Sequence, residues 1–284
     1  MKPAPFRFHA PTSVNEALAL LAEFGPDDGR VLAGGQSLVP TMAFRMARPA
    51  HLIDINRIEE LRKIAVERSI IRIGACVRHA AFETDVISGQ TGALLRKIVR
   101  HIAHHPIRTR GTFCGSVANA DPASEWCCVL AALDGVVIAR NVQTIRRIAA
   151  ADCFQGVMTT ALREDELLYA VELPVLGDDT VSGFAEFGRR PGDFAISMVL
   201  ATYRLENGVI AEPRLAVGGA ETHPRRIAEA EDALHGRAPG APAFEEAATI
   251  AAAAIEPMED NNNTAAFRRG LVRTLAQRAL ESAA

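Results

Sequence analysis

The sequence contains no long apolar run. No stretch of about 18 consecutive apolar residues is present, so no transmembrane helix is expected. The opening Met1-Lys2-Pro3-Ala4-Pro5-Phe6 lacks the apolar segment of a signal peptide. An excess of one charge is also missing. Lys and Arg total 31 and Asp and Glu total 34, a net charge of -3, which gives no electrostatic footprint for nucleic acid or a membrane surface. Cysteine is scarce: Cys76, Cys114, Cys127, Cys128 and Cys153 are odd in number and without C-x-x-C spacing. That pattern excludes a disulfide framework and a self-contained zinc or iron–sulfur site and suits a reducing cytoplasm. Two phosphate-binding signatures are absent as well, the G-x-G-x-x-G fingerprint of nicotinamide-type Rossmann domains and the P-loop ending in Gly-Lys-Ser/Thr.

What is present is an ordinary globular composition, 49% hydrophobic and 23% charged over 284 residues, enough chain for one large domain or two to three smaller ones. Ser13-Val14-Asn15-Glu16 reads as a capping box, and Val14, Ala17, Leu18, Leu21 and Phe24 recur at helical spacing until Gly25-Pro26. A strand at Val31–Ala33 then runs into a glycine loop, followed by a helix around Thr41 to Arg48 and a strand at His51–Ile55. This is a small α/β unit. Further strands are expected at Ile70–Ile73, Val136–Ala139 and Leu167–Pro174, with helical character from His79 to His104 broken near Ser88-Gly89. Turn residues at Gly177-Asp178-Asp179 mark the best domain boundary. Beyond them come strands at Met198–Leu205 and Pro213–Gly218 and helices near 224–235, 243–256 and 263–282, the last with an apolar stripe of Phe267, Leu271, Leu275 and Leu280.

Two polar glycine loops carry the chemistry. The first is Ala33-Gly34-Gly35-Gln36-Ser37-Leu38, directly after a strand. The second runs from Arg108 through Gly111, Thr112, Gly115, Ser116 and Asn119 to Asp121-Pro122 and Glu125, with Asp121-Pro122 reading as an N-cap and first helical proline. Two neutral loops without a lysine suit a dinucleotide whose pyrophosphate is held by backbone amides.

Gly34-Gly35-Gln36-Ser37-Leu38, Ile53-Asp54-Ile55, Ile107-Arg108-x-Arg110-Gly111-Thr112-x-x-Gly115-Ser116 and Asn119-x-Asp121-Pro122-x-x-Glu125 together resemble the FAD-binding medium subunit of molybdenum hydroxylases. Asp165-Glu166-Leu167-Leu168, Gly188-Arg189-Arg190-Pro191-Gly192-Asp193-Phe194-Ala195 and Phe267-Arg268-Arg269 extend the resemblance over nearly the whole chain. It implies an α+β protein: a two-lobed FAD-binding domain of the vanillyl-alcohol oxidase and p-cresol methylhydroxylase type over 1–176 (lobes 1–57 and 58–176), then a C-terminal domain of antiparallel sheet and helices over 177–284. The implied role is electron transfer through FAD. A large partner subunit would hold the molybdopterin cofactor and recognise the substrate, and a small one would hold two [2Fe-2S] clusters, in a dimer of heterotrimers. The resemblance assigns Ala33, Gly34, Gly35, Gln36, Ser37 and Leu38 to the pyrophosphate loop and Thr112, Gly115, Ser116, Asn119, Asp121 and Glu125 to the second loop and its ribityl or ribose side. Leu168 and Phe184 are placed near the ring system and Arg30 near the adenine end. No catalytic or metal-ligating residue is implied in this chain.

Relatives commonly have two consecutive glycines where Cys114-Gly115 stands here. A positive φ at Cys114 would cost about 1–3 kcal/mol, and a thiol near a helix N-terminus could have a lowered pKa. His101 and His105 would share one face of a continuous helix, a packing or surface arrangement in the absence of a nearby carboxylate or cysteine in sequence. Arg189-Arg190 reads as a structural ion-pairing element. Two other readings use the same residues: a free-standing FAD-dependent oxidoreductase, and an assembly subunit whose flavin site has degraded at Cys114.

Overall fold

The computed structural model describes residues 2–284. Three strands and two helices form the first lobe: β1 (Arg7–His9), α1 (Val14–Phe24), β2 (Gly29–Leu32), α2 (Leu38–Ala43) and β3 (His51–Asp54). The strands pair in parallel in the order β1-β3-β2. Ser13 caps α1, its hydroxyl accepting from the Glu16 amide at 3.2 Å, and Val14, Ala17, Leu18 and Leu21 are buried beneath it. β1 was not foreseen, because Arg7-Phe8-His9 is largely exposed and shows no apolar alternation. The second helix starts at Leu38 rather than Thr41, since Pro40 is tolerated in its first turn.

The second lobe runs through β4 (Ile64–Glu67), β5 (Ile70–Gly74), α3 (Gly89–Val99), α4 (His105–Arg108), α5 (Phe113–Asn119), α6 (Glu125–Ala132), β6 (Val136–Arg140), β7 (Ile145–Ala149), α7 (Ala150–Cys153), a short β8 and β9 hairpin (Phe154–Gly156 and Thr159–Thr160) and β10 (Leu167–Pro174). Its five-stranded antiparallel sheet has the order β4-β5-β10-β6-β7, and α5 lies against β5 and β10. The helix expected to open at Asp121-Pro122 opens at Glu125 instead. Asp121 uses its carboxylate to hold a turn, accepting from the Ala123 amide at 2.9 Å, and α5 ends on left-handed Ala120 just before it. The Pro122 carbonyl accepts from the Gly219 amide at 2.7 Å, tying this turn to the last third of the chain.

There β11 (Thr180–Phe187), β12 (Ser197–Glu206), β13 (Val209–Gly218) and β14 (Arg225–Arg226) form an antiparallel sheet, followed by α8 (Ala228–Leu234), α9 (Ala241–Ala254) and α10 (Ala265–Ala283). This sheet is covered on both faces. Met198, Leu200 and Ala216 join the apolar cluster that includes α6, while Val199, Ala201, Leu215 and Val217 join a second cluster with α9 and α10. A strand buried on both sides reads as a continuous apolar run, which is the pattern of Met198 to Tyr203. Of the stripe expected on α10, Leu275 and Leu280 are buried and Leu271 packs partly buried against the same cluster; only Phe267 departs from it. Phe267 is exposed and the buried face is Val272, Leu275, Ala276, Ala279 and Leu280, with Arg268 buried among them. Alanines do this work because α10 approaches β11 closely. A Cβ on Gly183 would stand 1.8 Å from the Ala279 carbonyl oxygen.

That contact predicts that Gly183→Ala lowers stability by about 2 kcal/mol, because the added methyl group forces α10 away from β11. Urea unfolding of the two proteins would check it, and an unchanged midpoint would contradict the packing described.

Candidate flavin site

The two glycine loops meet backbone to backbone. A Cβ on Gly34 would lie 2.5 Å from the Arg110 carbonyl oxygen and 2.6 Å from the Gly111 Cα, and Gly35 adopts a φ of +71°. Only glycine satisfies both requirements without displacing the second loop. The amides of Gly34, Gly35, Gln36 and Ser37 make no backbone hydrogen bond among the described residues. Four consecutive free N–H groups at a strand exit are a nest for an anion. The Gln36 side chain turns back to the Gly34 carbonyl at 3.1 Å, Ser37 is exposed at the start of α2 without capping it, and Leu38 is the first residue of that helix.

A polar clasp that the motifs did not reveal holds the loops in register. Asn56 donates to the Ala33 carbonyl at 2.7 Å, and its side-chain oxygen accepts from Arg78 at 2.6 Å. The same guanidinium donates to the Arg110 carbonyl. Asn56 is oriented by Asp54, whose carboxylate also accepts the Asn56 amide at 2.9 Å. Asn56 lies one residue beyond Ile53-Asp54-Ile55, and Arg78 is an isolated arginine with no motif around it, so only proximity in three dimensions links them. Arg108 organises the same region, donating to Glu83 at 2.5 Å and to the Ile102 and Ala103 carbonyls at 2.9 Å each.

Most of the second stretch is helix rather than loop. Thr112 is buried and its hydroxyl caps α5, accepting from the Gly115 amide at 3.0 Å. Gly115, Ser116 and Asn119 are partly accessible along α5, and the Asn119 amide group reaches the Met158 sulfur. Cys114 is the second helical residue, with no positive φ, and its thiol points beneath the sheet toward the Ile73 and Gly74 carbonyls at 3.4 and 3.6 Å. The strain and the activated thiol considered from the sequence are therefore absent: burial pushes the Cys114 thiol well above its ordinary pKa. Its side chain does not enter the loop.

Beneath α5 an aromatic stack of Phe82, Phe113 and Trp126 closes the floor, with Phe113 and Trp126 rings 4.7 Å apart. The Trp126 indole N–H donates to His79 Nδ1 at 2.8 Å. Because an indole only donates, His79 must be the neutral tautomer with its proton on Nε2. Burial, with the Arg78 and Arg108 charges adding, lowers the His79 pKa to about 3. The His79 amide donates to the Gly111 carbonyl at 3.0 Å, and a Cβ on Gly111 would lie 2.5 Å from His79 Nε2. The floor thus fixes the second glycine loop from below.

The remaining residues lie around this core. Arg30 is exposed on β2 and pairs with Asp28 at 3.0 Å. Leu168, beside the bulge in β10, and Phe184 on β11 are buried in the same apolar cluster as Phe113 and Trp126. Glu125 is buried at the head of α6. His101 and His105 do not share a helix face, since α3 ends at Val99; His101 lies 3.8 Å from Glu186 and His105 3.4 Å from Glu83. Arg189 and Arg190 are exposed and take part in no ion pair among the described residues, which corrects the structural role expected of them. Arg189 lines a groove of about 600 Å³ with Phe194, Asp260 and Arg268.

A buried neutral histidine makes stability depend on pH. Its folded pKa lies below the ordinary 6.5, so the unfolded chain binds more protons in the window between, and stability falls as pH drops through it. Wild-type protein should therefore lose stability more steeply below pH 6.5 than His79→Gln, whose amide can still accept from Trp126. Parallel urea midpoints for the two across that window would contradict the assignment.

Residues 4–176 match the model of the FAD binding domain in molybdopterin dehydrogenase, and residues 182–283 match the CO dehydrogenase flavoprotein C-terminal domain. The nicotine 6-hydroxylase medium subunit of Paenarthrobacter nicotinovorans is 35% identical, the alignment covering 100% of this chain and 99% of the relative. Among solved structures, carbon monoxide dehydrogenase from Hydrogenophaga pseudoflava aligns with a TM-score of 0.95 at 33% identity, covering 100% of this chain and 98% of that one. Quinoline 2-oxidoreductase from Pseudomonas putida 86 aligns at 0.93 and 32% identity, with the same coverages. The glycine loops, both domain matches and the end-to-end likeness converge: the chain belongs to the FAD-binding medium subunits of the molybdenum hydroxylases, the xanthine dehydrogenase and carbon monoxide dehydrogenase family.

Proposed function

We propose that FAD lies across the two glycine loops, its pyrophosphate on the free amides of Gly34, Gly35, Gln36 and Ser37. Gly115, Ser116, Asn119, Asp121 and Glu125 line the ribityl side, Leu168 and Phe184 back the ring system, and Arg30 stands at the adenine end. The observation that carries this reading is the nest of four unpaired amides pressed against Gly111. The residues fit a dinucleotide: the cradle is neutral, Gly34 lets the first loop press against the backbone of the second and Gly111 lets the second rest on His79, and Thr112 serves it by capping α5.

The chain is the FAD-carrying subunit of a multi-subunit molybdenum hydroxylase, with the molybdopterin cofactor and two [2Fe-2S] clusters in partner subunits. Bound FAD supplies the exchange of electrons between those clusters and an external acceptor. The chain's own residues bind and orient the cofactor and shield its floor from water. We divide the chain at residue 176, with lobes 1–57 and 58–176 enclosing the cofactor and 177–284 buttressing it, and we place it in the cytoplasm in a dimer of heterotrimers. All five cysteines are free and buried, and no helix among the described residues is long and apolar enough to cross a membrane.

The purified chain should take up one FAD and show the visible flavin bands, with FAD released on denaturation; a folded chain that stays colourless would overturn the reading. Gly34→Ala inserts a methyl group between the loops, a strain of about 1–3 kcal/mol, and should weaken FAD binding about 10–100-fold in a fluorescence-quenching titration. Arg78→Ala leaves Asn56 on the Ala33 carbonyl but cuts the link from it to the second loop, and should weaken binding in the same assay while leaving the circular dichroism spectrum unchanged.

A further inference from the structure

The hairpin of β8 and β9 rests on the C-terminal end of α5. At its tip the Met158 amide donates to the Ala120 carbonyl at 3.0 Å, and the Met158 sulfur accepts from the Asn119 side-chain amide at 3.4 Å. Met158 is otherwise 54% exposed, so apolar burial is not what holds it there. Its φ is +54°, a left-handed conformation that the two-residue tip of a hairpin ordinarily gives to glycine or asparagine. A long side chain at that position carries a conformational cost, which the two contacts with α5 offset.

The polarity of the second contact orients Asn119. A thioether sulfur accepts and never donates, so the group facing it is the Asn119 –NH2, and Oδ1 is turned away from it. Among the described residues neither Asn119 Oδ1 nor the Ser116 hydroxyl has a hydrogen-bond partner, and both residues are partly accessible. Gly115, Ser116 and Asn119 fall within one arc of about 100° around α5. That face therefore offers bare backbone, a hydroxyl and an amide oxygen. An amide oxygen attracts a hydroxyl and repels the acceptor-only oxygens of a phosphate. Without the sulfur the Asn119 amide turns freely and presents –NH2 as readily as oxygen.

We propose, on the FAD reading given above, that Met158 is a positioning residue for the cofactor: by holding the Asn119 –NH2 it keeps Oδ1 available to a sugar hydroxyl of FAD. The free amides from Gly34 to Ser37 donate and suit the pyrophosphate, whereas the acceptor held on α5 suits the hydroxyls. The two polarities together give the dinucleotide one direction across the loops.

A double-mutant cycle on the assembled heterotrimer, stripped of FAD and titrated with it by fluorescence quenching, tests this. Met158→Leu keeps an apolar side chain but has no acceptor, and should weaken FAD binding about 2–10-fold. Asn119→Ala should weaken binding at least as much, and Met158→Leu added to it should then change nothing. Met158→Gly relaxes the left-handed backbone yet also lacks the sulfur, so it should lose the same affinity as Met158→Leu. Equal losses from Met158→Leu in the two backgrounds would mark a merely structural hairpin and overturn the proposal. So would a Met158→Leu or Met158→Gly complex that binds FAD as tightly as wild type. A wild-type complex that takes up no FAD overturns the FAD reading and this role with it, whereas an additive cycle with FAD bound overturns the role alone.

Discussion

The structure depends on one close approach, backbone against backbone, between Gly34 and Gly111. Neither position has room for a methyl group, and each loop is anchored elsewhere: the first to β2 and α2, the second to α5 and the His79–Trp126 floor. Because the contact is between main chains, side chains on neither loop can compensate for its loss. The Asn56–Arg78 clasp supplies what glycine cannot, a directional link that fixes how the two backbones face each other. A site that binds a long dinucleotide needs this kind of preorganisation, since flexible loops would have to be ordered at the expense of affinity.

Around that contact the protein keeps ionisable groups neutral. His79, Cys114, Cys127 and Cys128 are all held in their uncharged forms by burial. Elsewhere in the fold buried carboxylates are paired with arginines, as Glu172 is with Arg72 and Arg147 and Glu166 with Arg146, whereas the Arg78 cation at the contact itself is held by neutral acceptors, Asn56 and the Arg110 carbonyl. Glu125 and Glu186 stand apart from both groups, buried and without a cation. The β11 to β14 sheet makes that possible. Its inner face meets α6 and its outer face meets α10, so a polar residue on the inner face is cut off from solvent by helices on both sides.

The path from sequence to site was uneven for physical reasons. Local signals survived intact: Ser13 caps its helix, β10 spans Leu167–Pro174 as its apolar run and terminal proline require, and the Cys127-Cys128 pair is buried in a helix. Shifts occurred where a local signal had a second use. Asp121-Pro122 looks like a helix start, yet its carboxylate closes a turn and its proline carbonyl is committed to Gly219, so the helix waits for Glu125. On α10 the leucines of the expected stripe are buried, but Gly183 lets the helix backbone at Ala279 come against β11, and Arg268 found the Ile196 and Gly219 carbonyls, at 2.5 and 2.7 Å, inside the fold while Phe267 stayed outside. Cys114 looked like an intrusion into the loop because its orientation depends on α5 beginning at Phe113.

By itself the sequence determined the two neutral glycine loops, their order after a strand and before a helix, and through them the family and its cofactor, because close backbone approach demands glycine at fixed positions whatever surrounds them. Only the tertiary structure decided what those loops lean on. Asn56 and Arg78 are 22 residues apart, and His79 and Trp126 are 47 apart. Their partnership exists only once packing has removed water from between the elements that carry them, and a hydrogen bond between distant residues has no local signature in a chain.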